Sequence, residues 1–172
     1  SKSVDGTNWS TPVDMSEIND VAHWNPVLFT YQDTLYLYYK IGLHPDNWTT
    51  YVRNTKDGVN WSEEKILIEG DTLGRGPVKN KPILTSKGTV ICPSSIEYKT
   101  KLPDCYVDIT TDMKSYTRSK NVHSRLFVEK IQPALVETDP GVVKMYIRTN
   151  RGRIYESTSK NYGKSFQLEK II

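Results

Sequence analysis

The stretch Thr55-Lys56-Asp57-Gly58-Val59-Asn60-Trp61 decides the fold, because the chain repeats it. Ser3-Val4-Asp5-Gly6-Thr7-Asn8-Trp9 is the same motif, and Thr110-Thr111-Asp112-Met113-Lys114-Ser115-Tyr116 is a fainter copy. A fourth, Ser159-Lys160-Asn161-Tyr162-Gly163-Lys164-Ser165-Phe166, is one residue longer and uses Asn for Asp. The closing aromatics at 9, 61, 116 and 166 are 52, 55 and 50 residues apart. A second marker keeps the same phase: Asn25-Pro26-Val27-Leu28, Lys81-Pro82-Ile83-Leu84 and Gln132-Pro133-Ala134-Leu135 set their prolines 56 and 51 residues apart. Two markers in phase define a repeat with the period of stacked supersecondary units.

Between the markers, short runs rich in Val, Ile, Thr and Tyr predict four strands per unit. They fall near 26–31, 35–40, 50–54 and 65–69, then 82–85, 89–94, 106–110 and 117–121, then 133–137, 142–148, 153–157 and 167–171. A proline can open each first strand because that residue need not donate to the ladder. Turn residues at Gln32-Asp33-Thr34, Ser86-Lys87-Gly88 and Asp139-Pro140-Gly141 join the first two strands of each unit. The expected class is all-β, a β-propeller of four-stranded antiparallel blades, since one such blade cannot bury both faces alone. Residues 1–20 read as the end of a preceding blade with its Asp-containing hairpin, followed by blades at 21–72, 73–124 and 125–172. The repeated motif lies between the third and fourth strands, and its role is structural. The Asp accepts backbone amides two residues on, Gly supplies positive φ, and the aromatic anchors the hairpin against a neighbouring strand.

Composition narrows the function classes. The chain has 172 residues, 37% of them apolar, and a net charge of +3 from 23 basic and 20 acidic side chains. No apolar run reaches the ~18 residues of a membrane helix, and the charge is too balanced to mark nucleic acid as the partner. Cys92 and Cys105 are too few for a disulfide framework and lack metal-ligand spacing, so buried free thiols are expected, with no metal and no cofactor.

The motif resembles the Asp-box, S-x-D-x-G-x-x-W, of the sialidase (neuraminidase) family with BNR repeats. The likeness extends to His23-Trp24-Asn25-Pro26-Val27-Leu28-Phe29 before Leu35-Tyr36-Leu37-Tyr38-Tyr39-Lys40, which looks like the second blade of a six-bladed sialidase propeller. Gly76-Pro77-Val78-Lys79-Asn80-Lys81-Pro82-Ile83 looks like the third, and Gln132-Pro133-Ala134-Leu135 with Arg148-Thr149-Asn150-Arg151-Gly152 resembles the fourth. The resemblance implies an exo-α-sialidase type of glycoside hydrolase, in which three arginines hold a sialic acid carboxylate and a tyrosine assisted by a Glu is the nucleophile. Arg148 matches the second of those arginines. Gln132 stands where the family has the Glu, and an amide cannot accept the tyrosine proton.

Antiparallel pairing puts the start of each first strand and the end of each second strand at one end of a blade, with the Asp-box at the other. That open end is expected to gather His23, Trp24, Asn25, Lys79, Asn80, Lys81 and Gln132, with Lys40, Glu97 and Arg148 from second-strand ends and Arg75 from the Gly74-Arg75-Gly76 loop. Arg148 suits a bidentate carboxylate pair, Lys40 and Lys81 serve as point charges, and Asn25, Asn80 and Arg75 add donors. Glu97 and Gln132 are the candidate catalytic residues, Glu97 being the one carboxylate of the set. Each has a plainer alternative: Arg148 and Glu97 pair with each other across blades, the lysines are solvated strand ends, and His23 packs beside Trp24.

The expected partner is sialic acid or another acidic glycan, with no nucleic acid and no membrane. The rival reading is a non-catalytic carbohydrate-binding or protein-interaction Asp-box propeller. At the observed period six blades need about 310 residues, so the length reads as half a ring, and self-association of two copies is an expected way to complete it.

Overall fold

The computed structural model describes residues 1–122 and 128–172. Three four-stranded antiparallel sheets follow one another along the chain. The first comprises β1 (His23–Tyr31), β2 (Thr34–Ile41), β3 (Thr49–Thr55) and β4 (Lys65–Ile66). The second comprises β5 (Ile83–Leu84), β6 (Val90–Ile96), β7 (Asp104–Thr110) and β8 (Thr117–Arg118). The third comprises β9 (Lys130–Asp139), β10 (Val142–Thr149), β11 (Ile154–Ser159) and β12 (Lys170–Ile171). Within each sheet the strands lie side by side in chain order. The expected boundary between the second and third units, at 124/125, lies outside the described residues.

The sheets stack face to face because their central strands are apolar on both sides. Alternation in β2 sends Tyr36 and Tyr38 one way, where they pack with Val52, Leu67, Val90, Cys92 and Met113 of a cluster shared with the second sheet. Leu37, Tyr39 and Ile41 point the other way, onto Met15, Ile18, Val21 and Trp61. Between the second and third sheets, Ile91, Cys105, Val107 and Val122 meet Val143, Met145, Ile147 and Phe166. Both cysteines are buried free thiols.

These clusters expose a second use of the repeat. Met15, Leu67 and Val122 each lie six residues past an Asp-box aromatic, and each is a wedge between its own unit and the next. The aromatic of the following unit closes the same interface from the other side: Trp61 with Met15, Tyr116 with Leu67, and Phe166 with Val122. The fourth strands are two residues long, shorter than the sequence predicts, because the chain leaves the ladder to place the wedge. Backbone bonds still tie the wedges back to the third strands, from Leu67 N to Thr50 O and from Val122 N to Cys105 O, both at 2.8 Å.

The Asp-boxes act as expected of turns. Asp57 Oδ1 accepts the amides of Val59 (2.7 Å) and Asn60 (2.8 Å), and Asp5 and Asp112 repeat the pattern. Residues 1–22 depart from expectation. They contain no strand, and the first box is a loop closed by Ser10 N to Lys2 O at 2.8 Å. Trp9 is 64% exposed and so anchors nothing, unlike Trp61, Tyr116 and Phe166.

Candidate functional site at the open end of the sheets

The strand registers place the two ends of each blade. His23 pairs with Ile41 and Lys130 with Thr149 at one end, while Leu35 pairs with Thr55, next to its Asp-box, at the other. At the open end two first strands carry a bulge. The register slips between Trp24 and Val27 and again between Tyr146 and Arg148, and the residue before each proline, Asn25 or Gln132, has positive φ (48° and 52°). A left-handed residue followed by proline is strained by roughly 1–3 kcal/mol, so neighbouring groups must hold it. At Gln132 the holders are visible. Asn80 Nδ2 donates to the carbonyls of Gln132 (2.9 Å) and Pro133 (3.0 Å), and the Gln132 amide donates to Ser95 Oγ at 3.3 Å.

The bulge re-aims the Gln132 side chain. Its Oε1 accepts Arg148 Nη1 at 2.9 Å, and among the described residues this is the only hydrogen bond the Arg148 side chain makes. Arg148 is exposed, so the remaining N–H groups of its guanidinium face outward. Glu97, just past β6, is half-buried. Burial raises its pKa first, the negative charges of Glu129 and Asp46 raise it further, and only Arg148 opposes them. Arg148 and Glu97 therefore share an electrostatic environment without forming an ion pair. Lys81 is exposed and Asn25 half-buried, and neither side chain makes a hydrogen bond among the described residues.

Two expected members of the site lie elsewhere. Lys40 is 0% exposed, and its ammonium donates to Thr50 Oγ1 and Gly74 O (both 2.6 Å) and to Arg75 O (3.3 Å). It faces the second sheet rather than the open end, since alternation puts it on the same side of β2 as Tyr38. Removal from water lowers its pKa from 10.5 to about 7, against the pull of Asp108 and Asp71. Arg75 is held by Asp108 of β7 through Nη2 (2.6 Å) and Nε (2.9 Å), with a further bond to the Tyr116 carbonyl at 3.1 Å. Asp108 also accepts Gly76 N at 2.8 Å. Arg75 is thus an inter-sheet tie. His23 is exposed and stacks on Tyr39 at 6.2 Å, and Trp24 donates its indole N–H to Gly42 O at 2.8 Å.

Sequence reasoning missed Asp108, Ser95, Asp46 and Glu129. Asp108 left a signal, a carboxylate in the middle of the apolar run Tyr106-Val107-Asp108-Ile109. The other three left none, because only folding brings their loops and strand ends together. Among the described residues no group of three or more His, Cys, Asp or Glu side chains is arranged to hold a metal. A cavity of about 650 Å³ lies away from Arg148, along the face of the first sheet that Met15, Tyr39 and Trp61 line.

The profile of the BNR repeat-like domain matches residues 1–171. The chain belongs to the BNR repeat-like domain family. No curated protein sequence matches this BNR chain. Among solved structures, it is similar to a Dyadobacter fermentans protein of unknown function, with 18% identity and a TM-score of 0.79 over 98% of this chain and 56% of the other. It is also similar to Trypanosoma rangeli sialidase in complex with sialic acid, with 16% identity and a TM-score of 0.70 over 96% and 31%. NanB sialidase from Streptococcus pneumoniae, in a K499G mutant, matches at 16% identity and a TM-score of 0.58 over 78% and 20%. The BNR chain therefore spans about half the length of the first of these relatives and a third or less of the sialidases. These likenesses establish the fold: the three sheets are blades of a sialidase-type β-propeller.

Proposed function

We propose that this BNR chain is part of a sialidase-like glycoside hydrolase and that its open end binds an acidic sugar such as sialic acid. The observation that carries this reading is Arg148, exposed at the open end and steered by the Gln132 amide, which leaves the rest of its guanidinium to a carboxylate. Lys81 adds a second positive charge, and Asn80 keeps the bulge in shape from the neighbouring blade. Glu97, with its raised pKa beside Arg148, is the group suited to exchange a proton with the glycosidic oxygen or with water.

Gln132 favours a second reading, binding without hydrolysis. Its amide oxygen accepts a hydrogen bond but not a proton, so it cannot act as the carboxylate that activates a tyrosine nucleophile. Calorimetric titration with sialic acid tests the shared part of both readings. Binding abolished by Arg148→Ala supports the site, and unchanged affinity in that variant removes it. Release of the aryl group from an aryl sialoside, lost in Glu97→Gln, separates hydrolysis from binding.

A further inference from the structure

We propose that the rim of the open end, on the second and third sheets, binds a polyanionic glycan: a chain of sugars bearing repeated carboxylate or sulfate groups. This rests on the acidic-sugar reading of the same end and extends its ligand from one terminal sugar to a polymer. The observation is a one-sided distribution of charge. In the segments 81–82, 97–103, 128–133 and 148–153, every exposed charged side chain is basic: Lys81, Lys99, Lys101, Arg148, Arg151 and Arg153. The carboxylates there, Glu97 and Glu129, are half-buried beneath them. The Asp-box end is mixed, with Asp57 beside Lys56 and Asp112 beside Lys114 all exposed. The basic rim is therefore a property of one end and not of the surface at large.

A single sugar carboxylate needs one guanidinium, and Arg148 supplies it. Lys99 and Lys101 stand on the loop between β6 and β7, and Arg151 and Arg153 on the turn between β10 and β11. They belong to neighbouring stacked sheets, whose usual spacing of ~10 Å exceeds the reach of one monosaccharide's acid group but suits successive charges of a chain. Tyr98, under the Lys101 ammonium at 5.8 Å, adds an aromatic face to the same loop. The recessed Glu97 and Glu129 suit the free hydroxyls that a sugar chain carries on every residue and a DNA backbone lacks, which favours a glycan over DNA.

The test is calorimetry of the chain with sialic acid, a polysialic acid oligomer, a heparin oligomer and single-stranded DNA, over about 50–200 mM salt. The expected result is an acidic oligomer bound at least about tenfold more tightly than the monomer, with an affinity that falls steeply with salt. The variant K99A/K101A/R151A/R153A is expected to lose that advantage and the salt slope while sialic acid affinity is unchanged. The two oligomers separate carboxylate from sulfate recognition. An oligomer bound no more tightly than the monomer, or a slope retained in the variant, overturns the proposal, as does DNA bound as tightly as either glycan. Monomer binding lost in Arg148→Ala without any oligomer advantage sinks the rim alone. Salt-dependent oligomer binding with no monomer binding sinks the Arg148 site and leaves the rim standing.

Discussion

Arg75 and Asp108 tie the first sheet to the second: the guanidinium, in the connection after β4, meets the fully buried carboxylate of β7 at 2.6 Å. Asp108 is further fixed by Gly76 N and Ser94 Oγ, at 2.8 and 3.3 Å. Removing the cation strands a buried charge, which is more costly than removing both partners together. Arg75→Ala is expected to lower stability by about 3 kcal/mol, read as a shift in urea midpoint with an unchanged slope. The double variant R75A/D108A is expected to lose less than the sum of the single changes. Strict additivity in that cycle rules out the coupling.

Lys40 gives a pH signature of the opposite kind from an ion pair. Its folded pKa of about 7 lies below the ordinary 10.5, so between these values the unfolded chain holds a proton that the folded chain has released. More protons bound to the unfolded state means stability that rises with pH in that window and is lost as pH falls through 7. The slope from one proton is at most about 1.4 kcal/mol per pH unit. Lys40→Met is expected to flatten the rise while leaving Thr50, Gly74 and Arg75 short of a donor, so it is less stable than wild type at pH 9. Equal pH profiles for the two proteins count against a buried titrating ammonium. Comparing the two proteins cancels the buried thiols and tyrosines, whose raised pKa values act the other way.

The Asp-box carboxylates titrate at the acid end. Asp57 is held well below the usual carboxylate range by the amides of Val59 and Asn60, and Asp112 is lowered to about 2 by Ser115 and Lys114. A depressed folded pKa contributes stability that is complete above the ordinary value near 3.8 and lost as pH falls toward the folded one. The variant D57N/D112N is expected to fold at neutral pH and to show a shallower loss of stability between pH 4 and 2. Asn161 is the internal precedent, because its Oδ1 already accepts Ser165 N at 3.0 Å. Circular dichroism across that acid range reads the difference. Parallel acid limbs would show that the turns contribute nothing to it.

What could be read from sequence divides along a physical line. The repeat, the strand positions and the two ends of each blade follow from local rules: alternation, proline at a strand start, and Asp and Gly in turns. Which of several second-strand cations stays accessible does not, because Lys40 and Arg148 occupy corresponding positions at the ends of β2 and β10. Lys40 is covered by the following unit and finds three oxygen acceptors there, whereas Arg148 is exposed and turns to Gln132. Local sequence cannot separate two strand ends that differ only in what packs against them. Arg75 is misleading for a related reason, since its partner Asp108 is 33 residues further on, in β7.

The wedge positions make a prediction from the repeat alone. Leu67 is buried among Val27, Tyr38, Val90 and Cys92, whereas Ile172, six residues past its own aromatic, is 59% exposed. Leu67→Ala is expected to cost about 2–5 kcal/mol, the range for truncating a buried leucine. Ile172→Ala is expected to stay within about 0.5 kcal/mol. Chemical unfolding of both variants checks the contrast, and a similar cost for each would deny the wedge its packing role.

Gln132→Glu sets the acidic-sugar reading against itself. The new carboxylate would lie where Oε1 now accepts Arg148 Nη1 at 2.9 Å, converting a neutral hydrogen bond into an ion pair. An ion pair draws the guanidinium away from an incoming carboxylate and puts a like charge beside it, so the affinity for sialic acid is expected to fall about tenfold. Gln132→Met removes the steering bond without adding charge, and its loss is expected to be smaller. Calorimetry ranks wild type, Gln132→Met and Gln132→Glu in that order if Arg148 receives the ligand. If Gln132→Glu binds as tightly as wild type but turns over an aryl sialoside that wild type does not, the amide is what holds the site in a binding role, and the hydrolytic arrangement differs from it by one ionisable oxygen.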